Sequence, residues 1–196
     1  MIELPEVETV CRGLAPILEG VVITSVVVRQ PSLRFPVPPE FSSVLTGKKL
    51  LYVRRRAKYL LFELESGQMV IGHLGMSGRM IIYPTRSDTP PPGQHDHIDF
   101  ETARGSVVRY TDPRRFGLML LTDRDNLESH KLIHHLGPDP LGNNFNENIL
   151  AAALKGKNTP IKTALLDQKI IAGLGNIYVC EALFRSGISP RRKAAT

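Results

Sequence analysis

Residues 5–19 place Val7, Val10, Leu14, Ile17 and Leu18 at helical spacing behind acidic first-turn residues, and Gly20 stands where a helix would stop. The pattern predicts one amphipathic opening helix, with Pro16 expected to kink or shorten its end. From Val21 to Thr122 the spacing changes to short β-branched and aliphatic runs: VVITSVVV, KLLYV, KYLLFEL, QMVIGHL, RMIIY, HIDFE, SVVRY and GLMLL. Runs of this kind predict a β-sandwich or barrel. The proline-rich PTRSDTPPPGQ (84–94) predicts an exposed, mobile connection between two of the strands. Beyond Thr122 the helical period returns, with candidate helices near 124–135, 145–155, 160–170 and 176–186, separated by the turns LGPDPLGNN and AGLGN. The expectation is an α+β chain with a β-sandwich lobe over 1–122 and an α-helical lobe over 123–196.

Composition narrows the function classes. Hydrophobic residues make up 42% of the 196 residues and charged residues 22%, an ordinary globular balance. Lysine and arginine number 25 against 19 acids, a net charge of +6, and such a field attracts polyanions, nucleic acid first among them. The longest uncharged apolar-rich run, Gly20 to Val28, is far short of the ~20 residues needed to span a bilayer. The opening MIELPEVETV has three glutamates and no basic residue, unlike a signal peptide, so a cytoplasmic protein with no membrane partner is expected. Cys11 and Cys180 form no C-x-x-C unit, which predicts neither a disulfide framework nor a cysteine-ligated metal.

Four local patterns carry chemistry, each with a plainer alternative. Lys48, Lys49, Arg54, Arg55, Arg56 and Lys58 lie together with Tyr52 and Tyr59 and no acid. Strand alternation would aim Arg54, Arg56 and Lys58 to one face to track phosphates; the alternative is a solvated sheet face. His95, His97 and Asp99 would share a strand face, as metal ligands, as phosphate donors or as a simple polar edge. In Thr111-Asp112-Pro113-Arg114-Arg115-Phe116-Gly117, an aromatic beside an arginine suits a wedge that enters a base stack and fills the void left by an extruded nucleotide. The alternative keeps Phe116 in the core and pairs Arg115 with Asp112; Met76 in HLGMSG has the same two readings, ligand contact or core filler. Gly173-Leu174-Gly175-Asn176 runs into a helix with Asn176 as candidate N-cap, where amides suit a phosphate, or it is an ordinary αα-hairpin turn.

Taken in order, ELPEVET, RRAKYLL, HLGMSG, HDHID, YTDPRRFG, HLGPDPL and GNIYVCEALFRSGISP resemble the formamidopyrimidine-DNA glycosylase family over essentially the whole chain. Glu3-Leu4-Pro5-Glu6 is similar to that branch rather than to the endonuclease VIII branch, which typically begins PEGPE. The resemblance implies a base-excision-repair DNA glycosylase/AP lyase that removes 8-oxoguanine and formamidopyrimidines from duplex DNA through a Schiff base and β,δ-elimination. It implies a β-sandwich lobe followed by a helix-two-turn-helix lobe, DNA bound between them, and a monomer in the bacterial cytoplasm, on the nucleoid when bound. By matching motif positions it implies Glu3 as acid/base partner at the lesion sugar and Lys58 as proton donor. DNA contacts fall to His95, Arg114 and Lys157, the vacated stack to Met76, Arg114 and Phe116, and a backbone phosphate to Asn176.

The resemblance breaks in two places. Position 2 is Ile2 where the family has its nucleophilic proline, which predicts impaired chemistry, because a displaced or primary amine attacks from the wrong position. Family members also continue beyond the equivalent of Gly187-Ile188-Ser189-Pro190 to a four-cysteine zinc hairpin, whereas this sequence stops at Thr196, so the helical lobe is expected to be incomplete and no cofactor is expected in this chain. Two rivals remain: a catalytically silent damaged-DNA-binding protein, and a metallohydrolase built on His95, His97 and Asp99.

Overall fold

The computed structural model describes residues 2–196. They form two compact units, one running to Arg55 and then from Tyr59 to Leu127, the other made of Arg56–Lys58 and Glu128–Thr196. The division therefore falls after Leu127 rather than after 122, and three residues of the basic run belong with the second unit.

In the first unit, helix α1 (Leu4–Leu18) buries Leu4, Val7, Cys11, Leu14 and Leu18, the three-to-four spacing of one helical face. A capping box closes its N-terminus: the Glu3 carboxylate accepts from the Glu6 amide while Glu6 Oε2 accepts from the Glu3 amide at 3.0 Å. Such a cap contributes about 1 kcal/mol. Pro16 does not shorten the helix as expected. It lies in the last turn, where it forfeits one backbone bond, and burial of Leu14 and Leu18 carries the helix past it.

The strands are β1 (Val21–Val28), β2 (Lys49–Arg56), β3 (Tyr59–Leu64), β4 (Gln68–His73), β5 (Arg79–Tyr83), β6 (Asp96–Thr102), β7 (Val107–Thr111) and β8 (Leu118–Asp123). They form one sheet in the order β5-β7-β6-β1-β2-β3-β4-β8. Strand β1 joins its halves: Val21 and Val22 pair with Leu50 and Lys49, whereas Ile23 to Val28 pair antiparallel with β6. Leu60, Phe62 and Val70 from one half share a buried cluster with Ile98, Phe100 and Val108 from the other and with Val7, Leu14 and Leu18 of α1. The two halves thus face a common core, as the alternating runs predict for a sandwich, each fully buried aliphatic contributing roughly 1.5–3 kcal/mol. A short helix α2 (Phe41–Leu45) adds Phe41, edge-on to Phe100 with ring centroids 6.2 Å apart.

The second unit holds α3 (Glu147–Leu154), α4 (Ile161–Leu166) and α5 (Asn176–Arg185), with Ile161, Leu165, Ile170, Ile171, Val179 and Leu183 as its core. Helix α3 is capped by Asn146, whose Oδ1 accepts from the Ile149 amide at 3.0 Å. The helix expected over 124–135 is absent: Arg124–Asn126 form one 3-10 turn and the residues to 135 make isolated turns. The apolar period read there crosses the boundary between the units, so Leu127 and Ile133 do not lie on one face of one element. The segment near 160–170 is helical only to Leu166, because the Asp167 carboxylate accepts from the Lys169 amide at 3.0 Å and turns the chain. Among the described residues no helix is long and apolar enough to cross a membrane.

Candidate nucleic-acid interface and catalytic residues

At the tip of α1, Glu3 is fully buried, its carboxylate fixed by the Glu6 amide. A carboxylate there is also favoured by the helix dipole, so the same position serves the fold and places an acid beside the leading end of the chain. Ile2 is partly buried against the core. Ile2, Glu6 and Val10 line one side of a pocket of about 420 Å³ whose other side is Leu74, Met76, Ser77, Gly78, Arg79 and Met80. The pocket therefore brings Ile2 and Met76, far apart in sequence, to one concavity.

Beside it, the 74–78 and 112–117 loops are locked together. Asp112 is fully buried; its Oδ1 accepts from Ser77 Oγ at 2.6 Å, and its Oδ2 accepts from Tyr110 OH at 3.0 Å and from the Gly117 amide at 2.9 Å. Burial, and then the negative charge of Asp112, pushes the Tyr110 phenol well above its usual range, so it stays a neutral donor. The approach is close enough to demand glycine: a Cβ on Gly75, which has φ +62°, would lie 2.6 Å from the Phe116 carbonyl carbon. With Asp112 turned inward, Arg114, Arg115 and Phe116 are exposed, and the Arg114 guanidinium sits 4.6 Å from the Phe116 ring centroid. Phe116 is 46% exposed and Met76 39%. The alternative with Phe116 in the core and an Arg115–Asp112 pair is not what forms, because Asp112 already has three donors of its own.

The basic run behaves otherwise. Arg54 is exposed and stacks 4.5 Å from the Tyr52 ring centroid, but the Arg55 side chain is only 8% exposed and its Nε donates to Glu8 Oε2 at 2.6 Å. Glu8 also accepts from Arg12 at 2.8 Å, and the Arg55 bond, with help from Arg12, holds the Glu8 carboxyl below its usual range. The expected row Arg54, Arg56, Lys58 does not form, since β2 ends at Arg56 and Ala57 turns left-handed with φ 53°. In the second unit Arg56 donates to the carbonyls of Leu136 at 3.0 Å and Gly137 at 2.8 Å, and the Ala57 amide donates to Asp139 Oδ2 at 3.3 Å. Lys58, half-buried, follows that anchored turn. Sequence reading missed the anchor; its signal was the pairing of an arginine-rich turn with HLGPDPL, whose use as an acceptor only the fold reveals.

His95, His97 and Asp99 are not brought together as a metal site. His95 is exposed, whereas His97 is buried with Nε2 2.7 Å from the Asp112 carbonyl, the geometry of a donor to it. Asp99 receives Arg109 Nε at 2.8 Å, Arg109 Nη2 at 2.9 Å and Arg29 at 2.6 Å. Burial pushes the Asp99 carboxyl up, but the Arg109 and Arg29 guanidiniums outweigh it and hold it below the usual carboxylate range. A register shift between Asp96 and Ile98 breaks the alternation on which the shared face relied. Among the described residues no group of three or more His, Cys, Asp or Glu could hold a metal ion.

In the second unit Lys157 is half-exposed in the turn after α3. Asn176 is exposed but is not the N-cap: Gly175 takes that position in extended conformation and Asn176 is the first helical residue. Gln168, unanticipated, holds the α4–α5 connection, its Nε2 donating to the Leu174 carbonyl at 2.8 Å and its Oε1 accepting from the Gly173 amide at 2.9 Å.

Residues 1–119 match the formamidopyrimidine-DNA glycosylase N-terminal domain and residues 136–196 the formamidopyrimidine-DNA glycosylase H2TH domain. The chain belongs to the formamidopyrimidine-DNA glycosylase family. A formamidopyrimidine-DNA glycosylase of Ruegeria pomeroyi is 54% identical over 99% of this chain and 70% of its own length, and one of Azorhizobium caulinodans 53% identical over 100% and 70%. The Lactococcus lactis formamidopyrimidine-DNA glycosylase bound to DNA containing an abasic site superposes with TM-score 0.89 at 34% identity, covering 99% of this chain and 73% of that one. Its complex with DNA containing N7-benzyl-Fapy-dG gives TM-score 0.88 at 35% identity, covering 99% and 71%. The α+β fold, the helix-two-turn-helix domain and the enzyme class, a DNA glycosylase of base excision repair, follow from family membership.

Proposed function

We propose that the chain acts as a monomer on duplex DNA containing oxidised purines, 8-oxoguanine and formamidopyrimidine among them. It extrudes the damaged nucleoside and fills the vacated stack with Met76, Arg114 and Phe116. The observation that carries this reading is the exposed Arg114–Phe116 stack on a turn bound to the Met76 loop, beside the pocket lined by Ile2 and Glu6. An aromatic beside a guanidinium replaces the lost stacking partner and faces the unpaired base with a cation. The Lactococcus lactis complexes with abasic and lesion-bearing DNA support the same partner.

In the full reaction an amine at the leading end attacks the sugar carbon that bears the damaged base. The glycosidic bond breaks, the base departs, and a Schiff base remains that permits β,δ-elimination of the flanking phosphates. Glu3 manages protons on the opening sugar and Lys58 supplies the proton for elimination. His95, Arg114 and Lys157 hold DNA and Asn176 a backbone phosphate. With Ile2 in place of proline this chemistry is impaired, since the family's ring-held secondary amine is replaced by a residue that cannot present the same nucleophile in the same geometry.

One observation favours a second reading, a silent binder of damaged DNA: the Ile2 side chain packs against the core, a structural use for that position. Borohydride trapping with an 8-oxoguanine duplex separates the two. Ile2→Pro, with intact mass confirming that residue 2 leads, is expected to raise cross-linking and strand cutting roughly 10²-fold. Damage-selective binding with no cross-link from either protein leaves the silent binder; no damage selectivity in either removes both readings.

A further inference from the structure

Within the first unit one buried group touches each segment that carries His95, Met76, Arg114 or Phe116. The Asp112 carboxylate reaches the Met76 loop through Ser77 Oγ, 2.6 Å, and the far end of the Phe116 turn through the Gly117 amide, 2.9 Å. Its carbonyl accepts from the Arg115 amide at 3.2 Å and lies 2.7 Å from His97 Nε2, while its own amide donates to the His95 carbonyl at 3.0 Å. Ser77 Oγ works in both directions, donating to Asp112 and accepting from the Arg114 amide at 3.2 Å. His95, Met76, Arg114 and Phe116 are thus exposed ends of a single hydrogen-bonded piece whose centre excludes water.

Such an arrangement has a physical consequence. Arg115 holds φ 55°, a left-handed conformation that a β-branch-free residue tolerates only when its surroundings impose it. The exposed stack gains little from its own surface contacts. Its orientation toward a base stack must therefore be set from beneath, and a side chain ordered before binding loses less entropy on entering DNA.

We propose that Asp112, relayed by Ser77, is the positioning residue that preorganises Met76, Arg114 and Phe116 as one wedge, so that discrimination of damaged from intact duplex depends on it. The inference rests on the wedge reading above and deepens it. Its test is a double-mutant cycle on the full chain, reading the ratio of affinities for a duplex with a tetrahydrofuran abasic analogue and for the same duplex intact, together with fluorescence of 2-aminopurine opposite the gap.

Ser77→Ala is expected to lower the affinity ratio about 10-fold, Phe116→Ala at least as much, and the pair no more than Phe116→Ala alone, because groups acting as one unit are not additive. Ser77→Thr, which keeps the hydroxyl, is expected to restore the ratio. Asp112→Asn, which puts an amide donor against the three donors, is expected to match Ser77→Ala if it folds; Ser77→Ala carries the test if it does not. A full ratio in folded Ser77→Ala, or losses that add across the cycle, overturns the positioning role while the wedge stands. A full ratio in Phe116→Ala overturns the wedge itself.

Discussion

Two arginine-rich stretches of this chain look interchangeable in sequence and are used in opposite ways. In KKLLYVRRRAK the guanidiniums of Arg55 and Arg56 are bound internally, to Glu8 and to the carbonyls of Leu136 and Gly137, and Arg54 alone of the three arginines is exposed. In TDPRRFG the acid is buried beneath the turn, so both arginines and Phe116 face outward. The difference lies in where the acceptors are. A carboxylate that satisfies neutral donors inside the protein leaves neighbouring cations free for a polyanion, whereas carboxylates and carbonyls that meet the cations themselves turn a basic run into scaffold.

The largest effect that would break this comparison is at Gly117. A Cβ there would lie 2.0 Å from Tyr110 OH and 2.5 Å from the His73 carbonyl, so Gly117→Ala is expected to destabilise by roughly 3 kcal/mol in urea unfolding. A change below about 0.5 kcal/mol would mean that the turn is not held rigidly.

Next comes Arg55. Its removal leaves the half-buried Glu8 beside Arg12 alone, and Arg55→Ala is expected to cost about 1 kcal/mol while leaving the preference for damaged duplex unchanged. The pH dependence has a definite sign. Because the folded Glu8 carboxyl lies below its ordinary value of 4.5, its contribution is fully present above that value and is lost as pH falls through the folded one. The stability gap between parent and Arg55→Ala should therefore be flat near neutrality and narrow in acid.

The smallest effect sharpens the contrast. Arg54 is exposed and stacks over Tyr52, with no ion pair to an acid of the described residues, so its charge is open to a polyanion. Arg54→Ala should shift stability by no more than about 0.5 kcal/mol, weaken damaged and intact duplex equally, and lower the salt slope of binding by about 1. Unequal weakening would assign Arg54 to the wedge.

Much of the frame was legible because burial repeats at the period of the backbone. The α1 stripe Val7, Leu14, Leu18 and the short β-branched runs declare a helix and strands before any contact is known. The order of motifs, which carries the family, was legible too, whereas the residues alone left Phe116 open between an exposed turn and the core. What local pattern could not supply was the identity of the acceptors. That Asp112 takes Ser77, 35 residues away, and Asp99 takes Arg29, 70 residues away, depends on long-range contacts, while the nearer partners Tyr110, Gly117 and Arg109 are chosen over Arg115 or a metal by how the turn and the β6–β7 pairing aim them. The false helix over 124–135 arose because a periodic pattern carries no mark of a boundary between units. Asn176 looked like a cap because glycine, which also caps, leaves no side chain to notice.

In the proposed function Phe116, with Arg114 and Met76, enters damaged DNA in place of an extruded nucleotide. The most direct measurement is the affinity of the unaltered chain for abasic-analogue and intact duplex at one salt concentration, repeated with Phe116→Ala. At least about 10-fold preference for the abasic duplex is expected in the unaltered chain, a difference of ~1.4 kcal/mol, largely abolished in the variant. Equal affinity for both duplexes in the unaltered chain, or a preference that survives loss of the ring, would contradict this role of Phe116.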